Sequence, residues 1–258
     1  MTDQITNQNV RPIKAMILAA GRGERMRPLT DSTPKPLLTV RGKALIDWHV
    51  EALAQGGFTD LLINTAWLGE QIPVHFEAQK VLQANKYGRE QLSISYSHEG
   101  LDFGGALETA GGIARALPQL GAMFWVLAGD VFVPRFKFLQ SAVDAFAASN
   151  KLAHVWLVSN PAHNPKGDFG LGADGLALNL PADSNQPRYT FSTIALYRKK
   201  FFDDLPFGNP QGIKAALAPL LRAAMDNQQV SAELYQGPWT DVGTPARLAE
   251  LNAINLSN

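Results

Sequence analysis

The sequence predicts an α/β protein: a mostly parallel sheet with helices packed on both faces. Two features of the 258-residue chain carry that expectation. Short apolar runs alternate with segments of helical period through the first half, an order that favours parallel strands joined by helices. The first apolar run also leads directly into a glycine-containing loop, "AAGRGERMRPLTDSTPKPL" (19–37). Sheets of this kind place their sites beyond the carboxyl ends of the strands.

Taken in order, "IKAMIL" (13–18) reads as a buried strand bounded by that loop. "ALIDWHVEALAQGG" sets Leu45, Ile46, His49, Val50 and Leu53 at helical spacing and ends on glycines. "DLLINTA" (60–66) is a second strand, 69–87 a helix, and "LSISYS" (92–97) an alternating strand. "ALETAGGIARALPQL" reads as a helix stopping near Pro118, and "MFWVLAGD" (123–130) as an apolar strand ending in an acid. The second half is less regular. "LAHVWLVS" (152–159) and "RYTFSTIALY" (188–197) are strands, "NPAHNPKG" is a loop, and "DFGLGADGLALNL" carries the Asp-Gly turn of a hairpin. "GIKAALAPLLRAAMDNQ" reads as a helix that Pro219 kinks or divides. "SAELYQGPWTDVGT" returns to strand and loop, and "PARLAELNAI" is a helix with Pro245 in its first turn. With no repeat or linker, residues 13–258 are expected to form a single domain behind a mobile polar tail, 1–12.

Composition narrows the chemistry. Hydrophobic residues are 46% of the chain and charged residues 18%, with 23 Lys+Arg against 23 Asp+Glu. Such a balance gives no footprint for nucleic acid or an acidic membrane. With no cysteine, thiol nucleophiles and thiolate metal sites are excluded. The start lacks a signal-peptide core and no apolar stretch reaches a membrane span, so the expectation is a cytoplasmic protein. Locally the balance changes. Arg11, Lys14, Arg22, Arg25, Arg27, Lys35, Arg41 and Lys43 are opposed between 11 and 43 only by Glu24 and Asp31. A small polyanion is the simplest partner for that stretch; a solvated basic loop is the alternative.

Glycines at 21 and 23 let backbone N–H groups approach phosphate oxygens. The loop is not a Walker loop, since no Gly-Lys-Ser/Thr follows, and Met26 stands where a dinucleotide fingerprint needs its third glycine. The five histidines are scattered, which argues against zinc. On residue type alone, Asp130 also suits a helix cap and Asp241 a turn. Thr109 equally suits a helix start, and Glu99 a solvated loop acid.

The longer string "LAAGRGERMRPLTDSTPKPLLTV" resembles the N-terminal signature of sugar-1-phosphate nucleotidyltransferases. "LETAGGI" (107–113), "LAGDVF" (127–132) and "WTDVGT" (239–244) follow in that family's order, so the resemblance spans about 13–250. It implies a Rossmann-like, GT-A-like fold with a mixed, mostly parallel sheet, and the length leaves no room for the C-terminal β-helix of bifunctional relatives. It further implies that Arg25 and Lys35 are the catalytic cations on the triphosphate. By the same resemblance Leu18, Ala19, Ala20, Gly21, Gly23, Glu24, Glu108 and Thr109 surround the nucleotide, with Glu99 at the base. Asp130 and Asp241 would hold Mg²⁺, a hard cation suited to carboxylate and phosphate oxygens. The expected partners are a nucleoside triphosphate and a sugar 1-phosphate, with a monomer and a small homo-oligomer both left open.

"GERMRPLT", "NTAWLGEQI", "KGDFGL" and "RYTFSTIALY" are most similar to the bacterial N-acetylmuramate α-1-phosphate uridylyltransferases of cell-wall (peptidoglycan) recycling. That likeness implies UTP as donor and a sugar lying against Asp168, Phe169, Ser192 and Thr193. Thr193 stands where those relatives usually carry glycine, 98–106 looks longer than the usual link, and Lys166 is the candidate cation for the sugar phosphate. A mannose-1-phosphate guanylyltransferase or another hexose-1-phosphate enzyme is the alternative within the class. A catalytically silent nucleotide-sugar-binding regulator is the alternative outside it.

Overall fold

A computed structural model describes residues 13–86 and 92–253. The expected tail, 1–12, lies outside the described residues, as does Arg11 of the basic stretch. The first half runs β1 (Lys14–Ala19), β2 (Thr39–Val40), β3 (Lys43–Ala44), α1 (Leu45–Gln55), β4 (Asp60–Thr65) and α2 (Gln71–Lys86). It continues with β5 (Ser93–His98), α3 (Glu99–Phe103), α4 (Glu108–Ala116), β6 (Met123–Ala128) and β7 (Val131–Phe132). After α5 (Gln140–Ala148) come β8 (Ala153–Val158), β9 (Phe169–Leu171), β10 (Ala177–Leu178) and β11 (Arg188–Arg198). The chain closes with α6 (Leu217–Asp226), β12 (Val230–Leu234), β13 (Thr240–Asp241) and α7 (Pro245–Ala253).

Among the described residues nine strands share one sheet, ordered β10-β9-β11-β6-β1-β4-β5, with β8 on β11 and β12 on β8. The pairs β5–β4, β4–β1, β1–β6 and β8–β12 are parallel, while β11 runs against β6, β8 and β9, and β10 against β9. Following those directions, β11 and β10 oppose the rest, which makes the sheet mixed and mostly parallel. Apolar runs buried on both faces explain the parallel half. Along β1, Ala15, Ile17 and Ala19 enter one core cluster and Met16 the other, the two-residue alternation of a strand between two helical layers. Among the described residues no helix is long and apolar enough to cross a membrane.

A third cluster joins Met26, Leu38, Val40, Leu45, Phe132, Val242, Leu248 and Leu251. It ties the first loop to α7 and to the residue after Asp241. Met26, at the position that breaks the dinucleotide pattern, is 0% exposed, so it anchors the loop from below. Truncating such a side chain costs about 2–5 kcal/mol.

Two expectations change. The helix read over 212–228 begins only at Leu217, and Pro219 neither kinks nor divides it. It sits in the first turn, where its missing N–H has no intrahelical partner to lose. Ahead of it, Ala215 O accepts from the N–H groups of Ala110 and Gly111, holding 213–216 against the start of α4 instead. Within the stretch 98–106, read as a link, Glu99–Phe103 form the short helix α3.

Candidate active site

The loop after β1 and the turn after β6 meet at the carboxyl edge of the sheet, where Gly129 N donates to Leu18 O at 2.8 Å. That bond sets Asp130 beside the glycine loop. Gly23 adopts φ 68, and a Cβ there would meet Thr30 Cγ2 at 3.0 Å and Lys35 Cβ at 3.2 Å. Glycine therefore lets the Lys35 stem pass beneath the loop. Lys35 is 8% exposed, and its Nζ donates to Asp130 Oδ2 at 2.6 Å. An exposed loop cation, as residue type alone allowed, is thus excluded for Lys35.

Strand β13 pairs antiparallel with β7, setting Asp241 opposite Val131, and Val242 N donates to Asp130 O at 2.8 Å. The two aspartates sought from distant motifs are therefore neighbours across a two-stranded ribbon. Asp241 Oδ1 is met by Arg247 Nη1 and, at 2.8 Å, by His163 Nε2. Among the described residues, Asp130 Oδ1 and Asp241 Oδ2 keep no hydrogen-bond partner. Two adjacent carboxylates, each with an oxygen to spare, fit a hard divalent cation that takes its other ligands from phosphate and water. Among the described residues no group of three or more His, Cys, Asp or Glu gathers as a metal cage.

Three compartments adjoin this edge. One of about 250 Å³ is lined by Gly21, Gly23, Glu24, Arg25, Lys35 and Asp130. A second, about 320 Å³, is bounded by Leu18, Ala19, Ala20, Glu99, Glu108 and Thr109, and reaches Lys35 and Asp130 as well. The third, about 550 Å³, shares Leu18, Glu108, Thr109, Ala128 and Thr193 with the second and extends past Asp168 and Phe169 to α6. So the loop, the carboxyl ends of β1 and β6, and Asp168, Phe169 and Thr193 border three adjoining compartments that share lining residues.

Not every candidate keeps its expected place. Glu99 borders the second compartment, as expected, but is not a solvated loop acid. It is 0% exposed, accepts from Asn64 Nδ2 at 2.6 Å and from Leu107 N at 2.8 Å, and burial pushes its carboxyl above the usual range. Asn64 Oδ1 in turn accepts from Ala19 N at 2.7 Å. Both Glu99 oxygens are thereby engaged in fixing the end of β1 and the start of α4. Ser192 is also fully buried, its Oγ accepts from Ile194 N at 3.1 Å, and it is absent from the cleft lining. Lys166 is exposed and lies outside that lining. Asp168 does line it, held by Phe191 N on Oδ2 at 2.8 Å and Asn164 Nδ2 on Oδ1 at 3.1 Å.

Thr193 occupies a bulge. Between Phe191 and Ala195, β11 advances four residues while β8 advances two, from Leu157 to Val155. The surplus turns Thr193 to φ 68, with its Oγ1 buried and unpartnered. A β-branched residue at positive φ is strained.

Reasoning from the sequence missed Asn64, Arg247, His163, Tyr197 and Arg222. Asn64 is an ordinary strand residue until its partners are seen, and the others are separated from their neighbours by long stretches of chain. Only the (i, i+6) spacing of Asp241 and Arg247 left a local trace.

Residues 14–258 match the nucleotidyl transferase family. The chain is 46% identical over 254 residues to an N-acetylmuramate alpha-1-phosphate uridylyltransferase of Neisseria meningitidis serogroup B, covering 94% of this chain and 98% of that one. It is 30% identical over 258 residues to the protein of the same name from Caulobacter vibrioides, covering 93% and 98%. Among solved structures, a glucose-1-phosphate thymidylyltransferase of Bacillus anthracis in complex with a sucrose superposes with TM-score 0.72 at 22% identity, over 95% of this chain and 97% of that one. That last likeness is one of fold. With residues 14–258 matched and the glycine loop bordering a compartment that reaches Lys35 and Asp130, the protein belongs to the nucleotidyl transferase family.

Proposed function

We propose that this protein transfers a uridylyl group from UTP to N-acetylmuramate α-1-phosphate. Identity of 46% over almost the full length of both chains with the meningococcal uridylyltransferase carries the reading. An oxygen of the sugar phosphate attacks the α-phosphorus, the bond from that phosphorus to the bridging oxygen breaks, and pyrophosphate leaves with the electron pair. The products are UDP-N-acetylmuramate and pyrophosphate, a reaction suited to cytoplasmic recycling of cell-wall sugar.

In this reading residues 13–258 act as one catalytic domain. Gly21 and Gly23 bring backbone N–H groups to the triphosphate. Arg25 grips phosphate oxygens with its fork, and Lys35 supplies a point charge that also holds Asp130. Leu18 to Ala20 and the start of α4, Glu108 and Thr109, border the nucleoside, with Glu99 and Asn64 bracing both from behind. The sugar lies against Asp168, Phe169 and Thr193. Asp130 and Asp241 would hold Mg²⁺, which supplies neutralising charge on the phosphates when bound. Barrier lowering comes from positioning and charge neutralisation, with no covalent enzyme intermediate.

Pyrophosphate release measured over a matrix of nucleoside triphosphates and sugar 1-phosphates tests this. The expected preferred pair is UTP with N-acetylmuramate 1-phosphate. Faster turnover of GTP with mannose 1-phosphate would replace the substrates. Background release for every pair, with tight nucleotide-sugar binding, would replace the enzyme with a regulator.

A further inference from the structure

The large compartment contains a guanidinium, Arg222, that no carboxylate among the described residues bonds directly, although Asp168 and Glu108 line the same space. Arg222, on α6, lines it with Cζ 5.1 Å from the centre of the Phe169 ring. Arg222 Nη1 donates to Asn179 Oδ1 at 2.8 Å, and Asn179 Nδ2 donates to both oxygens of Asp226, at 3.0 and 3.1 Å. Asp226 stands four residues after Arg222, the spacing of a direct helical ion pair. The amide of Asn179 is interposed, so the aspartate orients the arginine without touching it. Among the described residues the Nε and Nη2 groups of Arg222 carry no hydrogen bond, which leaves one edge of the fork unused.

The surroundings make that edge consequential. Leu217, Leu221, Phe169 and Phe191 give this compartment an apolar wall. Tyr197 is 0% exposed, and among the described residues neither its hydroxyl nor the buried Oγ1 of Thr193 has a partner; both residues line the same space. A cation on an apolar wall is stabilised most by an anion that comes with the ligand. In the proposed reaction the acceptor's phosphate must lie near Lys35 and Asp130, in a compartment that Arg222 does not line. The anion left for Arg222 is then on the sugar. N-acetylmuramate differs from N-acetylglucosamine by a lactyl ether on O3, and that group ends in a carboxylate.

We propose that Arg222 receives the lactyl carboxylate of the acceptor, held in position by Asn179 and Asp226, and makes the protein select 3-O-lactyl sugar 1-phosphates over unsubstituted ones. This deepens the uridylyltransferase reading above and rests on it. The planar fork matches a carboxylate in two parallel bonds, which an ammonium cannot reproduce.

The test compares kcat/KM for N-acetylmuramate 1-phosphate and N-acetylglucosamine 1-phosphate, both with UTP. In Arg222→Gln the ratio of the two is expected to fall about 10- to 100-fold, carried by KM, as befits loss of a charge-assisted pair. Arg222→Lys is expected to fall between. Unaltered protein given the lactyl amide of the acceptor should show the same loss, which makes the result independent of how the variants fold; UTP binding checks each variant. A ratio within about twofold of the unaltered protein, or equal losses for both acceptors, overturns the assignment, the second making Arg222 a phosphate contact. Arg188, whose buried Nε and Nη1 have no partner among the described residues and whose Nη2 donates to Asp168 O at 2.9 Å, is the rival cation: the same selective loss in Arg188→Gln but not in Arg222→Gln also overturns the assignment. Failure of the unaltered protein to use the lactylated acceptor, with robust turnover of another sugar 1-phosphate, overturns N-acetylmuramate 1-phosphate as the acceptor in the reading above and this inference with it.

Discussion

Lys35 Nζ lies 2.6 Å from Asp130 Oδ2, although 95 positions separate the two residues. The lysine is nearly buried while the Asp130 side chain is 41% exposed, so the pair joins a fixed cation to an acid that still faces the cleft. Lys35→Ala is expected to lower kcat about 10²- to 10³-fold, the scale of losing one preorganised charge, with a melting temperature shifted by only a few degrees. Asp130→Asn should abolish turnover and, by stranding the ammonium, cost about 1–2 kcal/mol, discounted for the exposure of the acid. Chemical denaturation beside steady-state pyrophosphate release separates the two effects.

Thr193→Gly removes a strained Cβ from φ 68. The substitution is expected to raise stability by about 1 kcal/mol, relief of the left-handed backbone outweighing the added freedom of the unfolded chain. It should also change KM for the sugar phosphate more than KM for the nucleotide, because Thr193 lies at the junction of the two larger compartments. Urea titration and the two KM values check both parts.

Asn64 joins Ala19 N to Glu99 Oε1 in a buried relay. Asn64→Ala leaves a donor and an acceptor buried without partners, and a destabilisation of about 2–4 kcal/mol is expected. Amide hydrogen exchange at the end of β1 should quicken, since the lost bond holds the N–H of that strand's final residue, Ala19. Unchanged exchange there would assign the relay no part in fixing the loop.

His49 is fully buried, and burial lowers its pKa from 6.5 to about 4. Above pH 6.5 folded and unfolded chains both hold it neutral, and it contributes no slope. As pH falls from 6.5 towards 4 the unfolded chain takes up a proton that the folded one refuses, so stability declines, by on the order of 3 kcal/mol in all. Burial shifts His154 in the same direction. His49→Leu should flatten the decline across that window whatever it does to absolute stability; equilibrium denaturation at several pH values measures the slope.

The parallel half was legible because its strands are short apolar runs closed by glycine and its loop carries an unusual string of residue types. Pro219 was misread because helical period extends back through "IKAA", while the backbone of Ala215 is claimed by α4. Such a tertiary bond has no local signature. For Glu99 the sequence left a place at the base and a solvated loop acid both open; "SHEG" could not announce its burial, because only the approach of Asn64 and Leu107 makes that burial tolerable. Asp130 and Asp241 were found by motif, but their adjacency depends on the two-residue pairing of β7 with β13, too short for any pattern to announce.

The reversal at β11 divides the molecule's evolutionary freedom. In the proposed reading the glycine loop and Asp130 follow β1 and β6, each paired on both sides, where a slip in register would displace them together. The arm formed by β9, β10 and the bulged stretch of β11 lies at the end of the sheet, held to β12 and α6 by a few bonds, and already accommodates two surplus residues. New acceptors can therefore be accommodated by redrawing that arm while the donor half stays as it is, and changes in sugar choice among descendants should concentrate there.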